Sequence, residues 1–314
     1  MTIQRRYDFL YLFDVQDGNP NGDPDAGNLP RVDPQTFQGL VTDGCQKRKI
    51  RDYVIAAKAH ESGSEAGYAI YFQTKGGTEQ RVLNVVHQRA YDGIKKNPKD
   101  KKYEDQVAAR RWMCENFYDV RAFGAVMSTD TNCGQVRGPV QLTFARSYHP
   151  IFQQEIAISR KSVTTIGEAE KQIKKSGDIT GTLGRKSIVP YGLYCSKGFI
   201  SANEAAQTGF SEADLELLWK ALSGRSKPDS TVEENMFGQD HSASRGFMSA
   251  RKLIVFQHES KLGNAPAHSL FEALKVDLTE ECIANGGVPR KFSDYRIDLS
   301  KAQIPPTVSA IEML

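Results

Sequence analysis

The hydrophobic pattern changes period twice near the N-terminus. In YDFLYLFDV, residues 7–15, Tyr7, Phe9, Tyr11, Phe13 and Val15 alternate with Asp8, Leu10, Leu12 and Asp14. Period two with this many aromatic residues predicts a strand. Four aromatic side chains on one face could stack bases, as on sheet-surface RNA binders, but such a stripe is more often core, and core is the reading adopted. DGNPNGDPDAGNLPR, residues 17–31, has no period and consists of turn formers, so it predicts an extended loop. Beyond it Ile50, Val54 and Ala57 recur at helical spacing, and Thr42 or Asp43 can cap the helix that carries them. Lys47, Arg51 and Lys58 run along one edge of that stripe, while Arg48 and Lys49 point elsewhere.

The middle of the chain is less regular. ESGSEAG predicts a turn, YAIYFQ is a short apolar run, and Thr78 to Tyr118 is charged and helical in composition, interrupted by the solvated stretch KKNPKDKK. With few long apolar stripes, this region predicts a small helical insertion. Strands are predicted at VRAFGAVM (120–127) and VQLTFARSY (140–148), with STDTNCGQVRGP as the loop between them. Residues 159–188 carry isolated apolar positions and weak periodicity, which predicts a protruding hairpin or arm. SIVPYGLYCSKGFIS and RKLIVFQHE (251–259) predict further strands. Between them SEADLELLWKAL, 211–222, predicts a helix opened by a capping box of Ser211 and Asp214. No repeat of fixed period appears. The order β-loop-α, insertion, β-β, arm, β, α, β predicts an α+β fold: an RRM-like (ferredoxin-like) antiparallel sheet with two helices on one face and pieces inserted between its elements.

Composition adds little until charge is located. The 314 residues are 39% hydrophobic and 25% charged, with a net charge of +3, as in an ordinary globular protein. The cations are concentrated, however. Four fall in Lys47-Arg48-Lys49-Ile50-Arg51, and residues 159–188 hold seven cations against three acids. Five scattered cysteines without CxxC spacing exclude a disulfide framework and a structural zinc site. Asp8 and Asp14 break the only apolar run near the N-terminus, so no signal peptide or membrane span is expected, and a cytoplasmic location is.

Several motifs suggest chemistry. Asp17-Gly18-Asn19-Pro20-Asn21-Gly22 opens like a calcium loop, but the twelfth position is Asn28, where a bidentate glutamate is needed, and a strand precedes it instead of a helix. Asp17, Asp23, Asp25 and Asp33 beside a basic helix could stage metal-assisted phosphodiester cleavage. Aspartates in such a segment more often make turns. HSASRG (241–246) lacks a nucleophile elbow, and GTLGR (181–185) lacks the GKS/T ending of a phosphate loop. What remains is a helix that begins among cations next to a long loop, with a second cationic cluster on an arm. That arrangement suits phosphate binding without base readout.

FDVQDGNPNGDPDAGNLPRVDPQT followed by GLVTDGCQKRKIRDYV resembles the backbone subunit of the type I-C CRISPR surveillance complex (Cascade), in the RAMP superfamily. FGAVM, GRKSIVPYGLY with KGFISANEA, and MFGQDHSASRGFMSARKLIVF resemble later blocks of that family, in order over nearly the full length. The resemblance implies a right-hand shape, with a palm at 1–59, 117–158 and 188–314, helical fingers at 60–116 and a thumb at 159–187. It implies a non-catalytic, cofactor-free and metal-free subunit whose copies stack along CRISPR RNA, each thumb reaching over a neighbour's segment. The implied partners are that RNA, target DNA paired to the guide, further copies, other Cascade subunits and a recruited helicase–nuclease. The expected phosphate contacts are Arg31, Lys47, Arg48 and Arg51, followed by Arg137, Arg185, Lys186 and Arg245. Relatives that cut RNA use an aspartate in the loop after the first strand, so the alternative is a metal-dependent endoribonuclease acting through Asp17, Asp23, Asp25 or Asp33.

Overall fold

The computed structural model describes residues 1–60, 63–74, 76–100 and 102–314. Glu61 and Ser62 of the ESGSEAG turn, and Lys101 of KKNPKDKK, lie outside the described residues. The first strand, β1 (Tyr7–Gly18), is buried along nearly its whole length. β2 (Gln38–Val41) and α1 (Asp43–Ala57) follow the long loop, and the Thr42 hydroxyl caps α1 by accepting from Cys45 N at 3.2 Å. Next come α2 (Leu83–Gly93), α3 (Tyr103–Asn116) and α4 (Tyr118–Phe123), then the strands β3 (Gly124–Met127), β4 (Gly134–Arg137), β5 (Val140–Leu142), β6 (Ala145–Pro150) and β7 (Gln154–Arg160). α5 (Ile166–Ser176) leads to β8 (Thr182–Ile200), and α6 (Ala202–Thr208) and α7 (Glu212–Ser223) lead to β9 (Phe247–His258). The chain closes with α8 (Ala267–Glu272), β10 (Leu274–Leu278), β11 (Tyr295–Leu299) and β12 (Val308–Glu312).

The molecule mixes helices with an antiparallel sheet of strand order β12-β9-β1-β8-β6-β2, wider than four strands, with β5 and β7 also paired to β8. β1 lies between β8, in a register from Tyr7↔Ile200 to Gly18↔Val189, and β9, with a bulge at Leu12/Phe13. Both faces of β1 are covered. Tyr7, Phe9, Tyr11 and Phe13 pack under α1 and α7, where Trp219 meets Phe9 edge-on at 5.3 Å. Leu10 and Leu12 pack under α8 and the β10–β11 hairpin with Phe256, Phe271 and Tyr295. The aromatic stripe is therefore core. On the second face Asp8 is buried against His258 Nε2 at 2.9 Å, and Asp14 takes Tyr191 Oη at 3.0 Å and Arg251 at 2.8 Å, so each inward carboxylate has a donor.

Three local expectations need correction. Residues 120–123 of the predicted 120–127 strand belong to the helix Tyr118–Phe123, and Gly124, at φ +80, ends that helix so that only Gly124–Met127 is strand. The STDTNCGQVRGP loop contains β4, which pairs back on β3 from Gly124↔Arg137 to Met127↔Gly134. VQLTFARSY is two strands, β5 and β6, both paired to β8. The helical region also has a core of its own, in which Val86, Ala90 and Tyr91 meet Ala109, Met113 and Phe117. The spacing of these residues is helical, but charged neighbours dilute it.

β8 has 19 residues and spans about 60 Å at strand rise. Its C-terminal half is central to the sheet. Its N-terminal half leaves the sheet and pairs with β7, from Gln154↔Ile188 to Arg160↔Thr182. Every residue of β7 is exposed and none of α5 is buried, so this arm has no core. α5 instead has local supports: a Thr165 cap, Glu168 in its first turn, Lys174 and Lys175 in its last, and Gly177 at φ +80. No helix among the described residues is long and apolar enough to cross a membrane.

Candidate nucleic-acid interface

The end of β1, the long loop, the start of α1 and the loop before β9 converge on one rim. Two glycines let the first and last of these meet. A side chain on Gly18 would overlap the Arg245 carbonyl, and one on Gly246, at φ +63, would overlap the Asp17 carbonyl. Asn19 N donates to Ser244 O at 2.8 Å, and its amide donates to Asn28 O at 2.7 Å, folding the loop on itself. Asn21 Oδ1 accepts from Thr42 N at 2.9 Å and so fixes the loop to the first turn of α1. The Gln153 side chain donates to Pro30 O, which adds the base of the arm.

The cations on this rim are organised by one carboxylate. Asp240 accepts Arg48 Nη2 at 2.8 Å, contacts Lys49 Nζ, and has Arg245 Nε at 3.3 Å. Burial alone would raise the Asp240 carboxyl, but the facing Lys49 and Arg48 charges overcome it, and the group titrates below the ordinary carboxylate range. Arg48 also reaches Asp52, and Arg245 Nη1 donates to Pro20 O at 3.2 Å. Lys49 is 1% exposed, so it belongs to the scaffold, whereas Arg48 and Arg245 remain a quarter or more exposed. Arg31 faces Asp23 at 3.4 Å, and Lys47 faces Asp43 at 3.0 Å.

The structure thus joins Arg48 and Arg245 through Asp240, with Arg31 on the adjoining loop. Lys47 and Arg51 share the next edge of α1, 5.8 and 5.4 Å from the Phe123 ring centre. Arg51 Nε donates to the fully buried Asp119 at 2.8 Å, and its guanidinium lies between Phe72 and Phe123, at 5.2 and 5.4 Å from their ring centres. Asp119 also accepts from Tyr71 N and Phe72 N, so Arg51 joins α1 to the helical region. Arg185 and Lys186 lie on the arm, and Arg185 makes one exposed contact to Glu155 at 3.4 Å. Arg137 lies on β4, apart from the rim, 3.8 Å from Glu204.

The four loop aspartates do not converge. Asp23 caps a single turn at Pro24–Ala26 and faces Arg31. Asp33 accepts from Arg146 at 2.7 Å and from Gln35 N at 3.0 Å, and the Arg146 hydrogen bond holds its carboxyl below the usual range. Asp17 has φ +50 at the end of β1, and Asp25 is exposed. Among the described residues no three His, Cys, Asp or Glu side chains are grouped to hold a metal. Turn formation accounts for this spacing. Sequence reasoning missed Asp240 and Arg146, whose partners lie on remote elements. The only available signal was the position of Asp240 within MFGQDHSASRG.

The profile of the family described as CRISPR-associated protein Cas7 matches residues 5–300. A CRISPR-associated protein Cas7 from Haloferax volcanii is 26% identical over 260 residues, covering 76% of this chain and 69% of that protein. A solved CRISPR RNA-guided surveillance complex in a pre-nicking state contains a chain with 11% identity and a TM-score of 0.47, the match covering 80% of this chain and 78% of that one. A second solved CRISPR RNA-guided surveillance complex gives 11% identity and a TM-score of 0.41, over 80% and 68% respectively.

Proposed function

The chain belongs to the CRISPR-associated protein Cas7 family, and from that premise we propose that it is a non-catalytic backbone subunit of a Cascade complex of type I-C, oligomerising along CRISPR RNA. The observation that carries this reading is the rim, where Asp240 holds Arg48 and Arg245 side by side, Arg31 is held by Asp23 on the adjoining loop, and Lys47 stands on the next edge of α1. Cations so placed bind phosphates without reading bases, and sequence specificity is left to pairing by the guide. Arg51 is assigned to the finger side of the same path, Arg185 and Lys186 to the thumb, and Arg137 to a contact away from the rim.

An RRM-like palm is supported by the central strand order β9-β1-β8-β6, with α1 and α7 over one face. Fingers at 60–116 are supported by the separate helical core, and a thumb at 159–187 by an arm without one. The other face lies under the C-terminal hairpin, which favours binding along the rim over stacking on the sheet. Other Cascade subunits, target DNA and a recruited helicase–nuclease complete the proposed assembly, in the cytoplasm.

The test is RNA affinity measured against salt. Binding should be indifferent to spacer sequence and fall with a log–log slope of about 0.7 per phosphate contacted. Lys47→Ala with Arg48→Ala should lower affinity about tenfold and flatten the slope, while the circular dichroism spectrum is unchanged. Wild-type affinity and slope in that double variant would count against the rim.

A further inference from the structure

The two edges of the central sheet are finished differently. β2, at one edge, is covered by the loop that precedes it: Leu40 N donates to Arg31 O at 2.9 Å, Asp33 N donates to Gln38 O at 2.9 Å, and Val32 bridges to Gly39. β12 is the last strand at the other edge and pairs only with β9, from Ile254↔Glu312 to His258↔Val308. Met313 N donates to Leu253 O at 2.8 Å and Glu259 N to Thr307 O at 3.2 Å, so the odd-numbered residues from 307 to 313 turn their backbone groups toward β9. The backbone groups of Ala310 and Glu312 and the carbonyl of Val308 turn outward, and none of them has a hydrogen-bond partner among the described residues. Val308 N is taken up by Pro305 O at 2.9 Å.

Sheets ordinarily protect such an edge with a lysine, a proline or a bulge on the strand itself. VSAIE carries none of these, and its register with β9 is unbroken. Its one charge, Glu312, is held within the sheet by Lys252 at 2.8 Å. The strand is also complementary to itself. Turned antiparallel about a two-fold axis at Ala310, two copies of β12 set Ala310 opposite Ala310 with reciprocal N–H···O=C bonds, and Glu312 N opposite Val308 O on either side. The small side chains of Ser309 and Ala310 stand at the centre, and the two Glu312 carboxylates lie at opposite ends, so no like charges face one another.

We propose that in the absence of RNA two copies of this chain associate through β12, joining their sheets edge to edge into one antiparallel sheet. This pairing requires neither RNA nor the proposed function. Because the β2 edge is covered, the pair keeps no second bare edge and closes at two copies, unlike an open stack along RNA. Pro305 and Pro306 stop the ladder at one end. A ladder of five residues a side buries less than the about 1,200 Å² of a stable interface, so the association is weak and reversible. From Gly246 at the rim to Phe256, which lies opposite Ala310, the chain runs about 30 Å at strand rise, and the pair leaves both rims open.

The test is sedimentation velocity of the RNA-free chain over a concentration series. The wild type should show a reversible equilibrium between one and two copies with a Kd in the micromolar range. Ala310→Pro removes the central outward N–H and leaves the bonds that face β9, so it should weaken the pair about tenfold or more with an unchanged circular dichroism spectrum. Ser309→Lys, at an exposed side chain, should weaken it as well by placing a charge on the edge, and it decides the matter if Ala310→Pro does not fold. A wild type that stays monomeric well above the micromolar range overturns the proposal. So does a pair that neither variant weakens, or association that continues past two copies. Both folded variants should assemble on guide RNA as the wild type does, and loss of that assembly also overturns the proposal, because the edge would then belong to the stacking contact. If the wild type itself does not assemble on RNA, the proposed function fails, and the β12 pair is judged by sedimentation alone.

Discussion

A carboxylate set into a surface proposed to hold RNA ought to weaken it, yet Asp240 sits among Arg48, Lys49 and Arg245. At 15% side-chain exposure it is too enclosed to compete with a phosphate, and its bonds instead aim Arg48 and Arg245 outward. Asp240→Asn should therefore lower RNA affinity about tenfold while adding a unit of positive charge. It should also destabilise the fold by about 3 kcal/mol, because it leaves the buried Lys49 without a counter-charge. Adding Lys49→Met removes that charge and should restore the melting temperature but not the affinity. Tighter RNA binding by Asp240→Asn would show that the carboxylate competes with RNA. Because the Asp240 carboxyl is held below its ordinary range, its contribution is complete above the usual carboxylate range near pH 4 and is lost only as pH falls through the depressed value. At this scale legibility follows sequence distance. The Thr42 and Ser211 caps are bonds across three residues and could be read directly, whereas Asp240 and Lys49 are 191 residues apart.

Among the elements, the arm differs most from its surroundings. Ile156 and Ile158 alternate on one face of β7 and are 38% and 52% exposed, and neither belongs to a core of the subunit. Replacing both with threonine keeps β-branching and should leave the melting temperature within about 2 °C, since surface changes of this kind stay within about 0.5 kcal/mol each. Assembly on RNA should weaken if the arm seats on a neighbouring copy. A fall of several degrees in the isolated subunit would mean that the arm packs on its own chain. The absence of apolar periodicity made the arm visible in the sequence. The same rule misread residues 120–123, where Val120, Ala122 and Phe123 suit strand or helix equally and Gly124 decides the matter by ending the turn. β4 was unreadable for a different reason. Its four residues, GQVR, are a strand only because β3 lies beside them.

For the whole molecule, the burial of both faces of β1 limits how the proposed RNA could be held. With Phe9, Tyr11 and Phe13 under two helices and Leu10 and Leu12 under the C-terminal hairpin, the central strand β1 offers no aromatic side chain to bases, and the exposed aromatic of its neighbour β9 is Phe247, at the strand's first position beside the rim. On the proposed function, recognition then falls to the rim and the arm, both cationic, and so to charge and geometry. The alternation in YDFLYLFDV revealed the strand and one of its faces. It did not reveal that the second face, with Asp8 and Asp14 on it, is also interior, because that depends on His258, Tyr191 and Arg251 from distant strands. The most direct test is the mass of complexes formed in magnesium on CRISPR RNAs of increasing spacer length, by light scattering, with the RNA then run on a denaturing gel. A backbone subunit predicts mass that grows in whole-subunit steps on intact RNA. Complexes that stay small while the RNA shortens would contradict it and return Asp17, Asp23, Asp25 and Asp33 to consideration as catalytic groups.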